Sequence, residues 1–389
     1  MAQVDQMMIQ GGGDMLSRPV IDSDVHPYLP GGVVDLQDYM GEEWHGHLRA
    51  GRPEAGGKAS FAPPSTHYVN LGGSTRLDAA PPSGAAACSD PAFSAADLLD
   101  RHNLGAAVLM GGDILGLGGL ANADLAAALA AGYNSWLADN WLNRDPRWKG
   151  SVVVAPQDPV QAAEEISRWA DHPSMVCVFV PNANVLLGKR QMYPIYEAAV
   201  SCGFPITVHP GGVAAGVNSA LLPVQAPSYF VEYLSCSATT FMAHLCSLIF
   251  EGVFERFPRL KVGIVEAGFA WLPHFLWRMD SNWKGLRRET PWVRRPPSDY
   301  VREHIRVTTQ PMYEPEKRSH LLEMFDMIHA EEVLMFSTDY PHWDGDDPSV
   351  SMRRIPSSLR RRVFHDNPRD FYRGDICSHL VGDPTTGGG

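Results

Sequence analysis

The sequence predicts a (β/α)8 TIM barrel with an insertion after the first strand. Three observations predict it. Eight short apolar runs, each followed by a helical pattern, succeed one another from about residue 19 to residue 373. Strand-then-helix alternation without interruption implies parallel strands, and eight such units close into a barrel. Polar side chains able to bind metal stand at the C-terminal ends of several strands, the face where barrels of this kind keep their chemistry. An open doubly wound sheet is the competing architecture. It is weaker because the first strand–helix turn lacks Gly-x-Gly-x-x-Gly, and the Gly-rich loop 111–119 follows the second strand instead.

The elements follow in order. Residues 1–18 read as a loose Gly- and Met-rich arm, and Val20-Ile21-Asp22-Ser23-Asp24-Val25-His26 as a buried first strand that Pro27 stops. Residues 30–92 are rich in Gly, Pro, Ala and Ser with little periodicity, which predicts a lid-like insertion. A helix is expected over 94–102, capped by Ser94, then a strand over 104–110 and a long helix over 121–143. Strands are expected over 151–155, 175–180, 205–209, 260–266, 304–308 and 332–338. The intervening helices are expected over 159–170, 191–202 (ended by Gly203), a helix-rich segment to 257, 271–286 and 316–329, and the last over 356–372. The tail 382–389 is Gly-rich and expected to be disordered. The whole chain, 1–389, reads as a single metal-dependent barrel domain.

Composition narrows the function. The chain is 44% hydrophobic and 20% charged, so it can bury a large core. A net charge of −12 argues against nucleic acid as a partner, since a phosphate binder needs a basic face. The six cysteines include no Cys-x-x-Cys pair and read as reduced core thiols of a cytoplasmic protein. Met1 to Arg18 has no apolar core, so no secretory leader is expected, and no apolar run suggests a membrane span.

The chemistry starts with Asp24 and His26. Residues i and i+2 of a strand face the same side, so both aim at one point from the strand's C-terminal end. His209 ends the fifth strand within Ile206-Thr207-Val208-His209-Pro210-Gly211, Glu266 ends the sixth and Asp339 the eighth. In a barrel these ends share one rim. Glu266 reads as a ligand, a general base, or a buried partner of Arg278. His342, three residues past Asp339, reads as a ligand or as a hydrogen-bonding neighbour of one. His244 and His274 fall on helices and read as ordinary helix histidines. Trp271, Tyr340 and Trp343 read as pocket walls or core. The run Arg287, Arg288, Arg294 and Arg295 reads as a solvated face or subunit contact, with the steering of an acidic substrate as the alternative.

These residues carry a resemblance. The first-strand motif, "PITVHPGG", "LIFEGVFERFPRLKVGIVEAGFAWLP" and "FSTDYPHWD" resemble the amidohydrolase-related branch of the amidohydrolase superfamily, the group containing aminocarboxymuconate-semialdehyde decarboxylase. The resemblance covers about residues 19–373. It implies a metal-dependent barrel enzyme whose ligands are Asp24, His26, His209 and Asp339. Two departures stand out: Asp24-x-His26 replaces the superfamily's His-x-His, and Glu266 stands where the decarboxylases carry a catalytic His. With these acids, "WVRRPPSDYVREHIRVTTQPMYEP" and "STDYPHWDGDDP" are similar to the dinuclear non-haem monooxygenases of this fold, α-aminoisobutyrate hydroxylase and a diterpenoid hydroxylase of platensimycin biosynthesis.

The first expectation is therefore a dinuclear iron (or iron–manganese) monooxygenase, using O2 to hydroxylate a C–H bond of a small carboxylic acid or its thioester. Glu266 would bind as a metal ligand beside His209, and an oxygen-rich donor set suits iron or manganese. Glu266, Asp339 and His342 are the expected catalytic groups. The alternative is a mononuclear hydrolase or non-oxidative decarboxylase, with zinc as a possible metal and Asp339 as base. A third reading is a non-catalytic barrel paired with an active partner. A homodimer, or pairing with a related barrel subunit, is expected.

Overall fold

A computed structural model describes residues 18–49, 74–211 and 227–380. The expected N-terminal arm up to residue 17, the middle of the insertion (50–73), Gly212 and the tail from 381 lie outside the described residues. The eight strands are β1 (Val20–Val25), β2 (Leu104–Leu109), β3 (Trp148–Val153), β4 (Met175–Pro181), β5 (Ile206–His209), β6 (Val262–Ile264), β7 (Ile305–Thr308) and β8 (Leu334–Met335). They pair in chain order and every pair is parallel. The residues after β8 close the barrel onto β1: Ser23 N donates to Phe336 O at 3.0 Å, and His26 N to Tyr340 O at 2.7 Å. The predicted (β/α)8 barrel is the observed fold.

Strands buried on both faces need near-continuous apolar runs, and β2, β3 and β4 are buried at every residue. Helix ends follow local chemistry. Asp90, Asn122, Asp158 and Asp347 cap helices by accepting backbone N–H bonds, and Gly203 (φ +73°) ends Tyr193–Cys202 as expected. Ser94 is not the cap expected of it; it sits buried in the last turn of Pro91–Ser94, which Asp90 caps.

Other boundaries shift. β3 begins at Trp148 rather than Ser151, and β8 is short, because the chain beyond it turns to meet β1. The last helix is three pieces, Ser357–Arg361, a wider turn Arg362–Asp366, and Asn367–Phe371 with Pro368 at its start. The helices Pro297–His304 and Pro348–Arg354 were not expected. Each starts at a proline inside a polar stretch, which reads as loop. The helical stretch Phe230–Phe250 is, by length and composition, apolar enough to cross a membrane, contrary to expectation. Its second half packs Phe241, Leu245, Leu248 and Ile249 into the core, as a barrel helix does. All six cysteines are free thiols.

Candidate metal centre

The site lies on the C-terminal rim. Asp22, Asp24 and His26 share one face of the first strand and its exit, and all three are fully buried. His209 ends β5, Glu266 follows β6 by two residues, and Asp339 follows β8 by four. Glu266 and Asp339 have left-handed backbone, at φ +51° and +61°. Non-glycine residues held there cost roughly 1–3 kcal/mol each, and such strain gathers at functional sites.

The donors converge. His26 Nε2 is 3.2 Å from Asp24 Oδ1 and 3.0 Å from Asp339 Oδ1. His209 Nε2 is 3.4 Å from Asp24 Oδ2 and 2.9 Å from Glu266 Oε2. These contacts are close but not aligned as hydrogen bonds. Both oxygens of Asp24, both ring nitrogens of His26 and Nε2 of His209 are buried without a hydrogen-bond partner. Buried polar atoms are nearly always satisfied, so the orphaned Asp24 oxygens and the Nε2 atoms of His26 and His209, which face one another, fit a bound cation. The chemistry of the set agrees, since neutral imidazoles and carboxylates bind manganese, iron and zinc. Asp24, His26, His209 and Asp339 form one group able to hold an ion, and Glu266, Asp339 and His342 a second that shares Asp339.

Neighbouring residues aim these side chains. His209 Nδ1 donates to Pro210 O at 2.5 Å, which leaves Nε2 facing the cluster, while Asn182 Nδ2 donates to His209 O at 2.9 Å. Gln310 Nε2 donates to Asp339 Oδ2 at 3.0 Å, and Asp339 N to Asp24 O at 3.1 Å. Asp22 receives Thr338 N at 2.9 Å, the Thr338 hydroxyl at 2.5 Å and Asp24 N at 3.1 Å, tying β1 to the chain that carries Asp339. Asp22, Gln310, Asn182 and Tyr28 were missed in the sequence. For Asp22 a signal existed: it continues the alternation of Asp24 and His26.

Electrostatics favours charge here. Burial pushes the Asp24 carboxyl up, but His26 and His209 outweigh it and hold the group below the usual carboxylate range. Burial likewise opposes His26, yet Asp24 beside it lifts the imidazole to about 9. Burial, with Asp339 close by, pushes Glu266 up to about 7.

Other expectations fall away from the rim cluster. His274 and Arg278 are exposed on Leu272–Leu286, and Glu266 has no ion pair with Arg278. His244 is buried and accepts a bond from Leu187 N at 3.3 Å, outside both metal-capable groups. Trp271 donates to Ala267 O and Gly268 O, just past Glu266. Arg294 and Arg295 pair with Glu255 and Glu303. The Gly-rich loop after β2 reaches the rim: a Cβ on Gly118 would stand 2.1 Å from Asn182 O, so only glycine permits this approach.

The chain matches the Amidohydro_2 amidohydrolase family over residues 21–374. It belongs to that family. The γ-resorcylate decarboxylase of Rhodococcus jostii is 24% identical over 263 residues, covering 63% of this chain and 75% of the relative. A solved dihydroxybenzoic acid decarboxylase from Polaromonas sp. JS666, with bound manganese and 2-nitroresorcinol, matches with TM-score 0.63 at 18% identity, covering 91% of this chain and 96% of that one. The amidohydrolase MAP2389c of Mycobacterium avium subsp. paratuberculosis matches with TM-score 0.68 at 19% identity, covering 91% and 98%. At such identities the structural likeness speaks for the barrel. The two relatives with a named activity are decarboxylases, which favours the alternative reading over the monooxygenase.

Proposed function

We propose that this amidohydrolase-family chain is a single-metal, non-oxidative decarboxylase of a small aromatic or conjugated carboxylic acid. One observation carries the reading. Asp24, His26, His209 and Asp339 are buried around one point and the facing atoms of the first three have no hydrogen-bond partner, whereas His342, the extra nitrogen donor, is already engaged on both sides by Asp339 and Tyr28. The decarboxylase names of the relatives, one of them holding manganese, support the same chemistry.

Asp24, His26, His209 and Asp339 would hold manganese or zinc. The ion would supply positive charge that binds the substrate carboxylate and draws electrons from the bond to be broken. Glu266 and His342 are the two members that reach the opening, with side chains 17% and 12% exposed. Loss of CO2 leaves an electron pair on the ring carbon, which must take a proton. Glu266 delivers that proton and recovers one from solvent, so the acid and its CO2-free product differ by CO2 alone. Tyr313 and Trp343, more than half exposed on the rim loops, offer ring faces to a flat substrate.

A dinuclear oxygenase is the second reading, and a specific observation favours it: the donors of Glu266, Asp339 and His342 lie within 4.8 Å of one another and share Asp339 with the first group. The test uses protein loaded with Mn(II), Zn(II) or, under argon, Fe(II). Decarboxylation predicts CO2 release from 2,6-dihydroxybenzoate or 5-carboxyvanillate without oxygen. Two irons per chain with oxygen uptake, and no CO2 release from any phenolic acid tried, would replace it with the second reading.

A further inference from the structure

We infer that Tyr28 is a positioning residue for the metal centre, acting through His342 on Asp339. The inference rests on the reading of Asp24, His26, His209 and Asp339 as one metal centre. His342 Nδ1 stands 2.6 Å from Asp339 Oδ1, and the Tyr28 hydroxyl 3.0 Å from His342 Nε2. A carboxylate oxygen accepts, so in this 2.6 Å contact the imidazole Nδ1–H donates to Asp339. In the tautomer with the proton on Nδ1, Nε2 accepts, and the Tyr28 hydroxyl is the donor placed to fix that tautomer.

The ring has little freedom left. It stacks on His26 with centroids 4.5 Å apart and planes at 26°. The returning arm of the insertion pins its loop: Thr75 bridges His342, Arg76 N donates to Pro341 O at 2.8 Å, and Trp343 N donates to Ser74 O at 3.1 Å. Tyr28 is braced too. Its N donates to Cys88 O at 2.9 Å, and Asp113 accepts from Leu29 N at 2.7 Å. Asp339 Oδ2 is separately held by Gln310, so the Tyr28–His342 pair settles the direction of Oδ1, the oxygen nearest His26. Without the phenol, His342 can take the other tautomer or turn, and Asp339 Oδ1 loses its fixed donor.

The experiment is a double-mutant cycle read by Mn(II) affinity and by the electron paramagnetic resonance line shape of bound Mn(II), using wild type, Tyr28→Phe, His342→Ala and the double variant. Tyr28→Phe keeps the ring and removes one hydroxyl. Its affinity should fall by about tenfold with an altered line shape and an unchanged circular dichroism spectrum. The double variant should bind no more weakly than His342→Ala, because Tyr28 acts only through that ring. Wild-type affinity and line shape in Tyr28→Phe, or additive losses in the double variant, would overturn the inference. Wild-type protein that binds no Mn(II) would instead overturn the metal centre on which it rests. Should Tyr28→Phe fold poorly, His342→Gln, which removes the ring through which Tyr28 acts, takes its place, and wild-type Mn(II) affinity and line shape in that variant would overturn the inference.

Discussion

Asp22 shows how one side chain sets the geometry of others. Its carboxylate takes three bonds from Thr338 and Asp24, and burial pushes it up to about 7 against those bonds. Asp22→Val takes the side-chain acceptor from the Thr338 N–H and the Asp24 N–H, and from the Thr338 hydroxyl its shortest hydrogen bond. Stability should fall by about 2 kcal/mol or more, with a parallel loss of metal affinity; an unchanged melting temperature contradicts this role. Glu266→Gln separates the two functional readings. In the single-metal reading the metal count stays constant and turnover falls by roughly a hundredfold or more. Loss of a metal ion would favour the dinuclear one. The pH dependence has a definite sign. His26 is lifted from 6.5 to about 9 in the metal-free protein, so the stability it contributes is complete below 6.5 and is lost as pH rises through about 9. A metal needs the free base, so its affinity should rise over the same window. The metal-induced gain in melting temperature should therefore be larger at pH 9 than at pH 6.5, and an equal or smaller gain would oppose it. Of these residues the sequence disclosed Asp24, His26, His209, Glu266 and Asp339, since acids and imidazoles at apolar strand ends have little structural purpose. It hid Tyr28, because its partner His342 lies 314 residues away. The left-handed backbone at Glu266 and Asp339 likewise has no local sequence sign.

At the scale of elements, β2 and β4 were legible as near-continuous apolar runs bounded by turn residues, whereas Lys149, Gly150 and Ser151 hid the start of β3. Helix Pro297–His304 was not legible. It buries only Pro297, Tyr300, Val301 and His304, and the rest is charged or polar. The wider turn Arg362–Asp366 in the last helix packs against β8 and β1, and Pro368, which cannot donate to the carbonyl of Phe364, starts the piece after it. The Gly-rich loop after β2 packs on Asn182, and that approach can be tested. Gly118→Ala puts a methyl into the backbone of the segment that holds His209. It should cost about 1–3 kcal/mol and weaken metal binding. Wild-type stability would mean that the loop shifts freely.

The whole molecule carries a net charge of −12, and its rim gathers Asp24, Glu266 and Asp339. Such a surface would repel the carboxylate substrate proposed above. A bound divalent cation would reverse the local field, so in that proposal catalysis and substrate capture both depend on it. The order of eight strand–helix units was readable from one end of the barrel to the other, because each unit is local. Closure was less so, because the chain past β8 meets β1 across nearly the full sequence. The most direct measurement is the Mn(II) content per chain of wild type and His209→Ala, each stripped, reloaded and freed of excess metal. A single ion in wild type, and nearly none in His209→Ala with a native circular dichroism spectrum, is the predicted result. Equal Mn(II) in both proteins would contradict the account.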